Sequence, residues 1–116
     1  MKRILFVCSQ NRLRSPTAEK IYAATSGVET KSAGLDNNAV RLVTTELLRW
    51  ADIVFVMERR HRNKLRKKFP KIVDVKPIVC LDIPDEFDFM APELVQLLKV
   101  KLDRYLGEPA KGMDRH

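Results

Sequence analysis

Cys8 and Arg14 stand with five residues between them, and Ser15-Pro16 follows at once. A thiol and a guanidinium at that spacing suit nucleophilic attack on a tetrahedral oxyanion such as a phosphoryl group. Five residues let the backbone curl so that the N–H groups of Ser9, Gln10, Asn11, Arg12, Leu13, Arg14 and Ser15 converge on one anion. A helix opening there adds its positive end and its unpaired amides. Arg14 can fold over the bound group and donate two parallel hydrogen bonds to nonbridging oxygens. The same field favours the thiolate of Cys8, the form that attacks phosphorus in line. Ser15 is positioned to donate its hydroxyl to the sulfur, steadying the thiolate first as ground state and later as leaving group. Asn11 sits mid-loop and is one of the few residue types that adopt the left-handed backbone such a curl needs.

Alone, a Cys-x5-Arg pattern is weak, because Cys8 reads equally as a small buried hydrophobe and Arg14 as a surface charge. The elements around it decide. Lys2-Arg3-Ile4-Leu5-Phe6-Val7-Cys8 is a nearly continuous apolar run, as in a parallel strand buried on both faces. Ser15 reads as an N-cap and Pro16 as the first helical position. Ala18, Ile21, Ala24 and Thr25 share one face of that helix, and Gly27 is its stop. A short strand is expected near 29–32, ending at Ala33-Gly34. Asp36-Asn37-Asn38 is expected to cap a second helix whose inner side carries Val40, Val43, Leu47 and Ala51. Residues 52–57 read as a second buried strand, 59–69 as a strongly basic helix broken by Pro70, and 77–81 as a third buried strand. An acidic loop over 82–88 leads to a last helix striped by Leu94, Leu97, Leu98, Leu102 and Tyr105. Strands alternating with helices imply βαβ units, hence an α/β domain with a mostly parallel sheet. Right-handed crossovers make the carboxyl ends of the strands the ligand edge. Cys8, Gly34, Met57 and the 82–88 loop all follow strand ends.

The 116 residues amount to one domain over 1–106, with 107–116 expected as a mobile tail. Apolar residues make up 45% and charged residues 32%, the proportions of a globular chain. No apolar run approaches the roughly 20 residues of a membrane span, so no membrane partner is expected. The opening 1–8 stretch is too short for a signal peptide, and two distant cysteines do not form a disulfide framework. A cytoplasmic, reducing setting is therefore expected. The net charge of +7 suits either an anionic substrate or nucleic acid. Much of it clusters on 59–68, where no aromatics alternate with the charges and no nucleic-acid motif occurs. That face is a solvated surface or a guide for acidic phosphopeptides, and nucleic acid is set aside as a partner. His61 shares the inner stripe of this helix with Leu65 and Phe69, which reads as packing or capping rather than catalysis.

Expelling an alkoxide or phenoxide is helped by a proton donor, and a water must then be activated against the thiophosphate. Asp82, Asp85 and Asp88 all lie in the loop at the ligand edge. Asp82 is nearest the strand end, while Asp88 fits a helix-capping role best because Pro92-Glu93 follows it.

The chain resembles the low-molecular-weight protein tyrosine phosphatases, whose N-terminal motif reads Val-Cys-x-Gly-Asn-x-Cys-Arg-Ser-Pro-x-Ala-Glu. Val7, Cys8, Asn11, Arg14, Ser15, Pro16, Ala18 and Glu19 match it. Ser32-Ala33-Gly34 is similar to the family's Ser-Ala-Gly after the second strand. Ala51-Asp52-Ile53-Val54-Phe55-Val56-Met57-Glu58 resembles its third strand, and Ile83-Pro84-Asp85 resembles the loop bearing its general acid. The resemblance implies a three-layer, flavodoxin-like fold with a four-stranded parallel sheet. It implies hydrolysis of a phosphomonoester, protein phosphotyrosine or a small phosphate ester, through a cysteinyl-phosphate and with no metal or cofactor. It further implies that Asp85, ahead of Asp82, is the acid, and that Ser32 bonds Asn11 to brace the loop together with Ser15.

The chain also departs from that pattern. Gln10 stands in place of Gly, and Leu13 in place of a second Cys, which removes a neighbouring-thiol protection. The segment after Gly34 is shortened where the family carries an aromatic that walls its pocket. Asp85-Glu86-Phe87 replaces Asp-Pro-Tyr, leaving Phe87 or Phe89 to supply that wall. Two other readings remain. Arsenate reductases of this fold pass oxidation from the loop cysteine to a second thiol and, in many, a third. Cys80, otherwise an inert core thiol, is the second here; with no third cysteine, an external thiol would be required. The remaining reading is a catalytically idle phosphate-binding module.

Overall fold

The apolar run at the N-terminus forms β1 (Lys2–Cys8), an inner strand of a four-stranded sheet in the computed structural model, which describes residues 1–106. β1 pairs in parallel with β2 (Val28–Gly34) on one side and β3 (Ile53–Val56) on the other. β4 (Ile78–Cys80) adds in parallel to β3, giving the order β2-β1-β3-β4. The register sets Cys8 beside Gly34 and Val7 beside Val56. Because the chain leaves β1 for β2 on one side and later returns to β3 on the other, a crevice opens at the carboxyl end of β1.

Alternate residues of β1 serve two cores. Ile4, Phe6 and Cys8 pack with Ala18 and Tyr22 of α1 (Arg14–Tyr22) and with Leu94, Leu98, Leu102 and Leu106 of α5 (Pro92–Leu106). Leu5 and Val7 face the other way. They meet Leu48 of α2 (Thr45–Trp50), Leu65 of α3 (Arg59–Lys68) and Val73 of the single turn α4 (Pro70–Val73). The result is a three-layer α/β arrangement with a parallel sheet in the middle, as the sequence led one to expect. Each fully buried Leu, Ile or Phe contributes roughly 1.5–3 kcal/mol, which makes β1 the costliest strand to disturb.

Several local expectations are corrected. Ser15 is not the N-cap: α1 begins at Arg14 with Leu13 as its cap residue, and the Ser15 hydroxyl turns instead to Cys8. Pro16 falls at the third helical position, where the amide has no intrahelical acceptor in any case. α1 ends at Tyr22 rather than running to Gly27, whose φ of +78° makes the turn into β2. The second helix is only Thr45–Trp50, with the Thr44 hydroxyl accepting from the Leu47 N–H. Residues 36–43 run irregularly because their amides and carbonyls are spent on the Cys8 loop and on Gly34, and Val40 is exposed. β4 is an edge strand and only half-buried. The tail expected at 107–116 lies outside the described residues.

Candidate active site

The segment from Ser9 to Leu13 leaves β1 and enters α1. The carbonyls of Cys8, Ser9 and Gln10 accept from the N–H groups of Leu35, Asp36 and Val40 at 3.1, 2.8 and 3.0 Å. In a trans peptide the next residue's N–H points opposite the carbonyl, so the amides of Ser9, Gln10 and Asn11 turn into the loop. Asn11 takes φ +55°, and its Nδ2 donates to Ser15 Oγ at 3.0 Å and Ser32 Oγ at 2.8 Å. Ser32 in turn donates to the Glu19 carboxylate. Gly34 is required for close approach: a Cβ there would lie 2.6 Å from the Ser9 carbonyl oxygen and 2.8 Å from the Asn11 nitrogen.

Cys8 is buried, with its sulfur 3.0 Å from Ser15 Oγ. Arg14 is only 2% exposed although it is a cation. Its Nη1 donates to the Glu58 carboxylate and to the Ile83 carbonyl at 2.7 Å, while Nε lies 3.8 Å from Asp85 Oδ1. Glu58 also accepts from Arg60 at 3.0 and 3.2 Å. These bonds, Arg60's foremost and then Arg14's, outweigh burial and hold the Glu58 carboxyl down at about 2. The clamp on Arg14 is therefore charged at neutral pH.

Cys8, Ser9, Gln10, Arg12, Leu13 and Arg14 line one cleft, together with Asp36, Arg60 and Asp85 from neighbouring loops and α3. Of the three candidate acids, Asp85 alone lines it. Asp82 faces Cys80, whose sulfur lies 3.5 Å from Asp82 Oδ1, and the Asp88 carbonyl accepts the Ala91 N–H at the entry to α5. Neither Phe87 nor Phe89 walls the cleft. Phe87 packs on the core beneath α5, and Phe89 is exposed before that helix. The cleft wall is polar and charged as a consequence. Arg12, expected among the anion-binding loop residues, also donates from its side chain to the Asn38 carbonyl at 3.4 Å.

Cys80 pairs with Val56, itself beside Val7, so it stands two strand spacings, about 10 Å, from the β1 end that carries Cys8. A disulfide needs Cα atoms within about 7 Å, so the two thiols cannot join without backbone movement. Burial foremost pushes the Cys80 thiol up, away from reactivity.

Glu58 was missed as a site residue, although its place just past a buried strand at the ligand edge was readable. His61 does pack and cap, accepting the Glu58 N–H on Nδ1 at 3.0 Å, but its Nε2 also meets Ser9 Oγ at 2.9 Å. Nothing in the 59–69 pattern pointed to that second contact.

The sequence matches no family model and no curated protein. Solved structures match nearly end to end. The YwlE arginine phosphatase from Geobacillus stearothermophilus aligns over 100% of this chain and 98% of its own, with a TM-score of 0.70 and 24% identity. The tyrosine phosphatase Wzb from Escherichia coli K30, in complex with phosphate, aligns over 90% and 96%, with a TM-score of 0.74 and 21% identity. SP-PTP, a low molecular weight protein tyrosine phosphatase from Streptococcus pyogenes, aligns over 100% and 99%, with a TM-score of 0.73 and 18% identity. With the strand order and the loop after β1, these likenesses show that the chain has the low-molecular-weight protein tyrosine phosphatase fold.

Proposed function

We propose that the protein hydrolyses phosphomonoesters through a cysteinyl-phosphate on Cys8. The observation that carries this reading is the Cys8 sulfur, 3.0 Å from the Ser15 hydroxyl oxygen, in a loop whose carbonyls are tied outward and whose arginine is buried beside it. The thiolate attacks phosphorus while the loop amides and the free edge of Arg14 hold the nonbridging oxygens. The bond from phosphorus to the leaving oxygen breaks, and Asp85, as the carboxylic acid, protonates that oxygen. Asp85 then takes a proton from water as the water attacks the thiophosphate, releasing inorganic phosphate and the thiolate, which Ser15 steadies. Asn11, Ser15 and Ser32 brace the loop.

Arg14 and the amides supply the positive charge in this scheme, so no metal or cofactor is assigned a role. Fold neighbours named as tyrosine and arginine phosphatases support a phosphorylated protein as substrate. The polar cleft wall makes small hydrophilic phosphate esters worth testing beside phosphotyrosine peptides. The spacing of Cys80 from Cys8 gives no support to arsenate reduction by that pair.

The test is hydrolysis of an aryl phosphate in the presence of EDTA. Wild-type protein is expected to turn over and Cys8→Ser to be inert while still binding inorganic phosphate. Turnover by Cys8→Ser would refute the mechanism, and binding without turnover by the wild type would favour the idle module.

A further inference from the structure

Ser9 follows the nucleophile directly and lines the cleft with Cys8, Arg14 and Asp85. Its Oγ lies 2.9 Å from Nε2 of His61, which is 2% exposed at the third position of α3. Nδ1 of the same ring faces the Glu58 N–H at 3.0 Å, a group that can only donate. Nδ1 is therefore the acceptor and the ring proton sits on Nε2. The sequence of bonds has one direction: Glu58 N–H to His61 Nδ1, then His61 Nε2–H to Ser9 Oγ. Ser9, having accepted from the ring, keeps its own hydroxyl hydrogen to give.

The ring's surroundings keep this direction. Burial foremost, then Arg14 and Arg60, push His61 down to about 4, against the opposite pull of Glu58 and Asp36. Protonation would also set an Nδ1–H against the Glu58 N–H.

We propose that Ser9 is a substrate-binding residue whose hydroxyl donates to an oxygen of the bound phosphoryl group, and that His61 is the positioning residue that turns it there. The proposal rests on the reading of the Cys8 loop as a phosphoryl site. It adds one side-chain donor to a cradle otherwise built from backbone and Arg14, and gives α3 a link to the chemistry.

The test measures kcat/KM on an aryl phosphate and the dissociation constant of inorganic phosphate. A hydrogen bond to a charged group sets the scale, so Ser9→Ala is expected to lose roughly tenfold or more in both, with Ser9→Thr close to wild type. His61→Asn keeps an acceptor for the Glu58 N–H but loses the donor to Ser9, and is expected to match Ser9→Ala. His61→Gln, which can reach Ser9 with its amide N–H, should recover much of the loss. In a Ser9→Ala background, His61→Asn should add little, because its effect runs through the missing hydroxyl.

Equal behaviour of wild type and Ser9→Ala in both measurements would overturn the proposal, as would losses that multiply in the double variant. If His61→Asn does not fold, the Ala-against-Thr comparison at Ser9 decides the matter, and an equal loss in both overturns it. A wild type that binds phosphate but hydrolyses no ester would sink the hydrolase reading alone, leaving phosphate affinity to decide here. A wild type that neither binds nor hydrolyses would sink both.

Discussion

The Arg14 guanidinium hydrogen-bonds through a single nitrogen: Nη1 meets the Glu58 carboxylate and the Ile83 carbonyl, while Nε faces Asp85 Oδ1 at 3.8 Å. An arginine held along one edge presents the other as a preset fork, with little side-chain freedom left to lose on binding an oxyanion.

Glu58→Gln tests this grip. It removes the charge opposing a buried cation, and breaking such pairs is strongly destabilising. Because Glu58 is 27% exposed, a loss of about 2 kcal/mol is expected rather than the full value for a dry pair. Urea unfolding reads that loss, and steady-state kinetics should show kcat/KM falling by roughly tenfold or more. An unchanged kcat/KM would mean Arg14 needs no partner.

Asp85→Asn separates proton donation from binding. Aryl phosphates with acidic phenols leave without help, whereas alkyl phosphates do not. The variant should lose roughly 10²-fold or more on an alkyl ester and much less on p-nitrophenyl phosphate. Equal losses on both would point to a binding role for Asp85, and a larger effect from Asp82→Asn would move the acid to that residue.

Asn11 combines a left-handed backbone with two side-chain bonds. Asn11→Gly keeps the first and loses the second, costing about 2 kcal/mol at roughly 1 kcal/mol per bond. Asn11→Ala adds the left-handed penalty, about 1–2 kcal/mol more. Denaturant midpoints of the two variants check the order, and Ala proving no worse than Gly would contradict the strained turn.

Much of this site was legible because chemistry and local geometry agree along a few adjacent residues. Cys8, Arg14, Ser15 and Asn11 announce a curled anion loop, and the apolar run before them announces the strand that holds it. The three-layer sheet followed from alternation of strand and helix patterns. What was misread depends on distant partners. Asp36, Asn37 and Asn38 look like helix caps, yet the amides of Leu35, Asp36 and Val40 go to the Cys8 loop. Ser15 looks like a cap as well as a partner for the Cys8 sulfur, and only the sulfur contact forms. Phe87 sits where an aromatic wall was expected, but it packs against the core that includes Leu94 and Leu98. His61 showed its packing or capping place, while its reach to Ser9 and the reach of Glu58 to Arg14 needed the fold.

Acid should weaken the fold in two stages. His61 ionises near 6.5 when unfolded but is held to about 4 when folded, so below 6.5 the unfolded chain takes up more protons. Stability should fall as pH drops through that window, by up to about 3 kcal/mol. Glu58, normally 4.5 and held to about 2, adds a further loss as pH falls between those values. Urea midpoints at about pH 7.5 and about pH 5 should differ clearly in wild type and less in His61→Asn. An identical difference in both would remove His61 from the account.

The bonds from Leu35, Asp36 and Val40 to the Cys8 loop also tie ligand affinity to tertiary order. A peptide ending before β2 has no means of turning those carbonyls outward, so it should be unable to bind an oxyanion. Conversely, an occupied cradle pins β2 against β1 and opposes global melting. Phosphate at about a hundred times its dissociation constant would raise the unfolding free energy by about 2.7 kcal/mol. Under the proposed hydrolysis, released phosphate would thus compete with substrate and protect the fold from denaturation at the same time.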